Sequence, residues 1–339
     1  MMIPVKNFIL PPLIQNSEGN IRKVGFELEF SGIKLNTAAQ IVADLFDGKI
    51  VAESRFLFKV IETVYGDFSV ELDAAVLKDQ RYKEYLLKIG FDIDRHNFGD
   101  DLENVLSKMA ETLVPHEIVL PPIPVTELDI VETLKEKLRS LEAKGTKASI
   151  LYAFSLQINP EVPSLEPDTI LDYLKAFVLL YNWIFKISGI DLSRRIAPFI
   201  KEFPANYIHQ ILKSSYRPTM NSLIDDYLIH NATRNRPLDM LPLFCFIDSD
   251  RVFQHPVEKE LIKARPAFHY RLPNSLIDDP AWTVAHEWNL WVEVERLAND
   301  SEKIKKMADD FMNTVDFPLG IKMFKWIEKV PYWLGIKSQ

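Results

Sequence analysis

In the stretch Val24-Gly25-Phe26-Glu27-Leu28-Glu29-Phe30, apolar and acidic side chains alternate. Successive side chains of an extended strand point to opposite faces, so Phe26, Leu28 and Phe30 face a core while Glu27 and Glu29 share the other side. Along one strand the two carboxylates sit roughly 7 Å apart, close enough to repel unless a cation or a basic partner lies between or above them. Oxygen donors in this arrangement suit Mg²⁺. Two glutamates on a solvated strand face are the competing reading, and the pair by itself leaves both open.

Other stretches repeat the design. Ser69, Glu71 and Asp73 alternate with Val70 and Leu72, and Glu117 interrupts the mostly apolar His116-Glu117-Ile118-Val119-Leu120 before Pro121-Pro122. Ser155, Gln157 and Asn159 alternate with Phe154, Leu156 and Ile158, while Ala267, His269 and Arg271 alternate with Phe268, Tyr270 and Leu272. If these strands share a sheet, one face gathers acids, amides, a histidine and an arginine. Activation of an acyl group by ATP needs such parts: metal ions to bridge the β- and γ-phosphates, an arginine for the transferring phosphoryl group, and hydrogen-bonding groups for substrate.

The elements that must position these residues follow from periodicity. Alternating runs predict strands at 22–31, 56–64, 68–76, 114–120, 149–159 and 265–272. Helical patterns recur at 36–47, 100–113, 126–143, 167–188, 219–231, 280–298 and 302–313, with start signals at Asn36, Pro167-Asp168 and Asp279-Pro280. Strands dominate the first half and one returns near 265, so the class is α+β, with a mostly antiparallel sheet covered by helices on one side.

The motif order resembles the amidoligase family, carboxylate–amine ligases of the glutamine synthetase and glutamate–cysteine ligase superfamily. Arg22-Lys23-Val24-Gly25-Phe26-Glu27-Leu28-Glu29-Phe30 looks like the family's first strand, whose paired glutamates bind magnesium. His116-Glu117-Ile118-Val119-Leu120-Pro121-Pro122, an amphipathic helix and then Lys144-Gly145-Thr146 are similar to the second acidic strand and its sequel, which implies that Glu117 is a further metal ligand. Phe268-His269-Tyr270-Arg271-Leu272-Pro273 is similar to the late strand that carries a glutamate and an arginine.

Two departures stand out: Gln157 and Asn159 occupy positions where the family tends to have histidine, and His269 stands in place of the late glutamate. A histidine moved between strands still offers an imidazole to a metal. The resemblance therefore implies a glutamine synthetase-like catalytic fold and ATP with Mg²⁺ or Mn²⁺ as cofactors. It implies Glu27, Glu29 and Glu117 as metal ligands, with the displaced His269 beside them, and Arg271 as a catalytic residue; Glu71 and Asp73, from the alternating acidic run, are expected as catalytic residues too. Arg271, Arg217 and Gln157 are expected at the nucleotide. The expected organisation is an extension over 1–20, a catalytic domain over 21–300 with a helical insertion at about 165–245, and a C-terminal helical segment over 301–339. Loss of an anionic ligand would instead give a binding or assembly protein on a ligase scaffold. A metal-dependent hydrolase using the same carboxylates ranks behind both.

Bulk properties narrow the field. The 339 residues carry 40 basic against 48 acidic side chains, a net charge of -8 that argues against nucleic acid as partner. The single cysteine, Cys245, excludes an internal disulfide and fits a reducing cytoplasm. Leu171–Ile190 is apolar but carries Asp172, Lys175, Asn182 and Lys186, which suits a core helix and no membrane span. No signal peptide is expected. With 11 glycines there is no phosphate-binding loop, and the scattered histidines give no zinc pattern. Arg217, Arg234 and Arg236 read either as phosphate contacts or as surface ion pairs. Trp282, Trp288 and Trp291 read as core. The expected substrates are small-molecule, peptide or protein carboxylates and amines, and a homo-oligomer is compatible with the family.

Overall fold

A computed structural model describes residues 7–72, 115–145, 154–189, 200–316 and 322–336. Its centre is one antiparallel sheet built around β1 (Lys23–Phe30). The other strands are β2 (Lys49–Ser54), β3 (Leu57–Thr63), β4 (Gly66–Leu72), β5 (His116–Val119), β6 (Ile123–Pro124), β7 (Leu156–Pro160), β8 (Leu238–Asp239) and β9 (His269–Tyr270). Their order is β2-β3-β4-β5-β1-β7-β9-β8, with β6 against the start of β1. The neighbours of β1 thus come from sequence positions about 90 and 130 residues away. The expected return of the late strand is met, since Ile158 of β7 pairs with Tyr270 of β9.

Alternation along β1 is complete: Val24, Phe26, Leu28 and Phe30 are fully buried, whereas Glu27 and Glu29 are half-buried. The apolar face is covered by helices, here α1 (Leu35–Phe46), α2 (Asp129–Ser140), α3 (Pro167–Ile187) and α8 (Val284–Ala298). Tyr173 of α3 stacks on Phe268 at 4.9 Å between ring centres, and Trp291 of α8 lies 5.5 Å from Tyr270. α3 starts with Pro167 in its first turn and has Asp168 near its positive end and Lys186 near its negative end. Thirteen of its 21 residues are buried, which makes it the core helix that its apolar composition suggests. No helix among the described residues is long and apolar enough to cross a membrane.

Where the residues are described, the expected elements are recovered with shifted ends; the expected strand residues 73–76 and 149–153 lie outside the described residues. The helix expected from 280 starts at Val284, because Thr283 is its cap: the Thr283 hydroxyl accepts from His286 N, and Glu132 of α2 accepts from Val284 N and Ala285 N. The helix expected at 100–113 lies outside the described residues. Elements that carried no periodic signal also appear. β2 is exposed along its whole length and so lacks an apolar face, and β6 and β8 have two residues each. Helices α4 (Ala205–Leu212), α6 (Leu241–Ile247) and α7 (Ser249–Val252) are short, and α10 (Met323–Leu334) has Pro331 inside it. α5 (Met220–Asn231) and α9 (Ser301–Thr314) lie where the sequence puts them.

A fully buried ion pair fixes the sheet to the helices. Arg22, immediately before β1, donates from both terminal nitrogens to the Glu295 carboxylate of α8 at 2.8 Å, and neither side chain reaches solvent. Its other hydrogens go to the carbonyls of Leu13 and Glu161. Glu295 also accepts from Trp291 Nε1 and Tyr173 Oη. Truncating one partner of a buried pair leaves an uncompensated charge, at a cost of about 3–5 kcal/mol. Arg22→Met should lower the free energy of unfolding by that amount in urea titration, and restoration by Glu295→Met in the same chain would assign the loss to the stranded carboxylate.

Candidate active site on the polar sheet face

Strand register brings the carboxylates together more tightly than spacing along β1 suggests. Glu29 of β1 lies directly opposite Glu117 of β5, and Glu117 lies directly opposite Glu71 of β4. Directly opposed residues of antiparallel strands have Cα atoms about 4.5–5.5 Å apart and point to the same face. Glu71, Glu117 and Glu29 therefore form a row of like charges across three strands, an arrangement that is unfavourable without a cation. Glu71, expected as a catalytic residue apart from the metal ligands, belongs to this row. Asp73 lies outside the described residues.

The row continues onto β7 through hydrogen bonds. Ser155 donates to Glu29 from its backbone N–H and from its hydroxyl, each at 2.7 Å. One register step away, Glu27 lies opposite Gln157. Glu27 Oε1 accepts from Gln157 Nε2 at 2.9 Å and from Asn159 Nδ2 at 3.0 Å. Gln157 and Asn159 thus act on Glu27. Gln157 Nε2 also approaches Asn159 Oδ1 and His269 Nδ1, both at 3.0 Å. A primary amide has two hydrogens for these three neighbours, and the role of His269 Nδ1 depends on the tautomer of the ring.

His269 opens the cationic end of the face. It is buried and lies opposite Asp239 of β8. Burial pushes its pKa well below the usual imidazole range, and the nearby charges of Arg265, Arg271 and Arg234 push in the same direction. The ring is neutral, and among the described residues its Nε2 makes no hydrogen bond. Asp239 is fully buried, with one oxygen accepting from Leu241 N at 2.9 Å and the other 3.8 Å from Arg234 Nε. Burial raises the Asp239 pKa to about 6 against the opposing pull of Arg271 and Arg234. Arg234 is held below its ordinary value by burial and by Arg271.

Glu27 bears electrostatically on both Arg234 and Asp239, so the acidic and basic groups form one field. Oxygen donors of the carboxylate row match Mg²⁺, which takes one or two protein carboxylates and completes its shell with water and phosphate oxygens. Among the described residues, no group of three or more His, Cys, Asp and Glu side chains is arranged to hold an ion by itself. The fit is to such a shared shell and not to an all-protein cage. The directly opposed Glu29 and Glu117 are the pair that could share in such a shell, whereas Glu27 is engaged by Gln157 and Asn159, and His269 stands beyond Gln157.

The arginines set aside as ambiguous have three different fates. Arg234 joins the site. Arg236 is buried and donates to the carbonyls of Lys201, Glu202 and His230, a structural role. Arg217, expected at the nucleotide, lines a cavity between helices with Asp172 and Lys175. Asp239 carries no periodic signal, although a lone acid in Leu238-Asp239-Met240-Leu241 is a charge in an apolar run. Trp282, Trp288 and Trp291 are core residues, as expected, and Cys245 is a buried free thiol.

The Lys144-Gly145 motif ends the site strand. Lys144 exchanges both backbone hydrogen bonds with Ser31, just beyond β1. A Cβ on Gly145 would lie 2.6 Å from the Ser275 carbonyl and 2.8 Å from Ile277 N, both backbone atoms with little freedom to yield.

Two stability measurements test these assignments. Glu27→Ala removes the acceptor of the Asn159 amide and one of the three neighbours of Gln157 Nε2 and should cost about 1–3 kcal/mol, whereas Glu27→Gln keeps an acceptor and should cost less. Equal losses in denaturant melts would show that the amides do not depend on that oxygen. Gly145→Ala should lower the melting temperature by several degrees, since the loop must move away from 275–277. An unchanged melt would mean that the contact is slack.

A family model described as "Putative amidoligase enzyme" matches residues 20–293. No curated protein and no solved structure matches the chain. The family match begins before β1, ends within α8 and takes in every strand of the site, and on that extent the chain belongs to the amidoligase family.

Proposed function

We propose that this chain is an ATP- and Mg²⁺-dependent carboxylate–amine ligase with a glutamine synthetase-like fold, forming an amide or isopeptide bond through an acyl phosphate. The observation that carries the reading is the polarity of the sheet face. Opposed carboxylates occupy β4, β5 and β1, arginines stand beside β8 and β9, and the Glu27–Gln157–Asn159–His269 network joins the two ends. Membership of the amidoligase family supplies the reaction class.

The chemistry asks the protein for placement and charge more than for a nucleophile. A substrate carboxylate oxygen bonds to the γ-phosphorus of ATP as the bond to ADP breaks. The amine nitrogen then bonds to the acyl carbon and inorganic phosphate leaves. The amine gives up a proton, a task for a carboxylate of the row. Glu29 and Glu117 would share in holding Mg²⁺, whose charge would offset the negative charge developing on the phosphates. Arg271 and Arg234 would face the transferring phosphoryl group, with Asp239 holding both guanidinium groups in position. Neutral His269 adds no charge, and it limits the rotation of Gln157 and so of Glu27.

Substrates are proposed as small-molecule, peptide or protein carboxylates and amines, in a reducing cytoplasm, with Mn²⁺ as the ion that substitutes for Mg²⁺. Calorimetry should find ATP binding that requires Mg²⁺ and that Glu27→Gln and Glu117→Gln each weaken at least tenfold. Arg271→Gln should leave much of that binding and reduce substrate-dependent ADP release by roughly 10²–10³-fold.

A ligase scaffold that binds without turnover is the competing reading. It is favoured by the hydrogen bonds that Glu27 already accepts from Gln157 and Asn159, where the family tends to have histidine. Binding of ATP with no ADP release across a panel of carboxylate and amine pairs would favour that scaffold. Absence of Mg²⁺-dependent binding by the folded protein would overturn the ligase.

A further inference from the structure

A second polar cavity lies on the far side of α3 from the sheet. Tyr173 and Phe177 of α3 meet Phe268 and Tyr270, at 4.9 and 5.8 Å between ring centres, so that side of the helix faces the sheet. At 3.6 residues per turn, Asp168, Asp172 and Lys175 fall on the opposite side. They line a cavity of about 150 Å³, together with the 212–217 segment and α9. That is far more than the roughly 10–15 Å³ that admits one water.

The charges of this cavity balance. Lys175, Arg217 and Lys305 stand against Asp168, Asp172 and Asp309. Four of these are exposed and form the rim, Asp172 is half-buried, and Lys175 is 4% exposed. Asp172 is anchored by the Ser301 hydroxyl at 2.8 Å. Lys175 differs from all the others: among the described residues its ammonium makes no hydrogen bond and no ion pair. Burial, and then the positive charge of Arg217, lower its pKa, with only partial compensation from Asp172 and Asp168. The stem of Lys175 is buried and its ammonium opens onto the cavity, where an anionic group of a ligand would offset its poor solvation. An anion alone would gain Lys175, Arg217 and Lys305 but meet three carboxylates. A molecule with both charges satisfies both sets.

We propose that this cavity is a second ligand site, separate from the sheet face, for a small zwitterion of the α-amino-acid class. The ligand carboxylate binds at Lys175 and Arg217, and its ammonium binds at Asp168 and Asp172. The site lies across α3 and the sheet from Glu27, so occupancy does not require the ligase reading.

The test is calorimetry on the full chain with L-alanine as probe, and with acetate and inorganic phosphate as anions that lack the ammonium. L-Alanine should bind the wild type and Glu27→Gln alike, and both Lys175→Met and Asp172→Asn should weaken it at least tenfold. Acetate and phosphate should bind more weakly than L-alanine. Lys175→Met should melt at or above the wild-type temperature, because it removes an unpartnered buried charge; if it fails to fold, Asp172→Asn decides. Four outcomes would overturn the proposal: no binding of L-alanine, binding indifferent to Lys175 and Asp172, anions binding as tightly as L-alanine, or binding abolished by Glu27→Gln. The last would move the amino acid to the sheet face.

Discussion

The buried pairing of Arg22 with Glu295 ties the chain's ends into one core. Arg22 stands at the mouth of β1, and Glu295 comes from a helix more than 270 residues later. The guanidinium also gathers the carbonyls of Leu13 and Glu161, which sets the N-terminal segment and the end of β7 against the same point. A planar fork with five donors can hold these directions at once, which an ammonium cannot. The pair fixes the position of Arg22 at the start of β1, and the alternation of buried Val24, Phe26, Leu28 and Phe30 then assigns the face of every later residue of the strand.

From that register the polar face follows. Glu27 and Glu29 point away from the core because Phe26, Leu28 and Phe30 point into it. The antiparallel pairs then align Glu29 with Glu117 and Glu117 with Glu71, and Glu27 with Gln157. Opposed like charges are a cost that a folding protein would ordinarily avoid. Their presence beside a cluster containing Arg234 and Arg271 gives the sheet a sign change along its width. A ligand that carries phosphate and a divalent ion has the complementary order of charges.

The cavity behind α3 follows a different logic. On the sheet face, carboxylates are held by neighbouring donors: Ser155 serves Glu29, and Gln157 and Asn159 serve Glu27. Behind α3, by contrast, Lys175 is buried without such service. The layer between the two is apolar and aromatic, through Tyr173, Phe177, Phe268 and Tyr270, so their charges are not in contact.

By itself the sequence determined the α+β class, the faces of the main strands and the helices with long apolar stripes, because side-chain period is a local property. It also marked Glu27, Glu29, Glu71, Glu117, Gln157, His269 and Arg271 as residues of one polar face, since each alternates with core residues. Which of them meet was decided by the tertiary structure, because register between strands far apart in sequence depends on packing. The regrouping of Glu71 with Glu29 and Glu117, and of Gln157 with Glu27, came from there. Asp239 was illegible because β8 is two residues long and shows no period, and Arg234 was left between phosphate contact and surface ion pair until packing set it beside Asp239. The place of Arg217, beside Asp172 and Lys175, also came from packing, because an arginine in a loop has no face until the helices around it are packed.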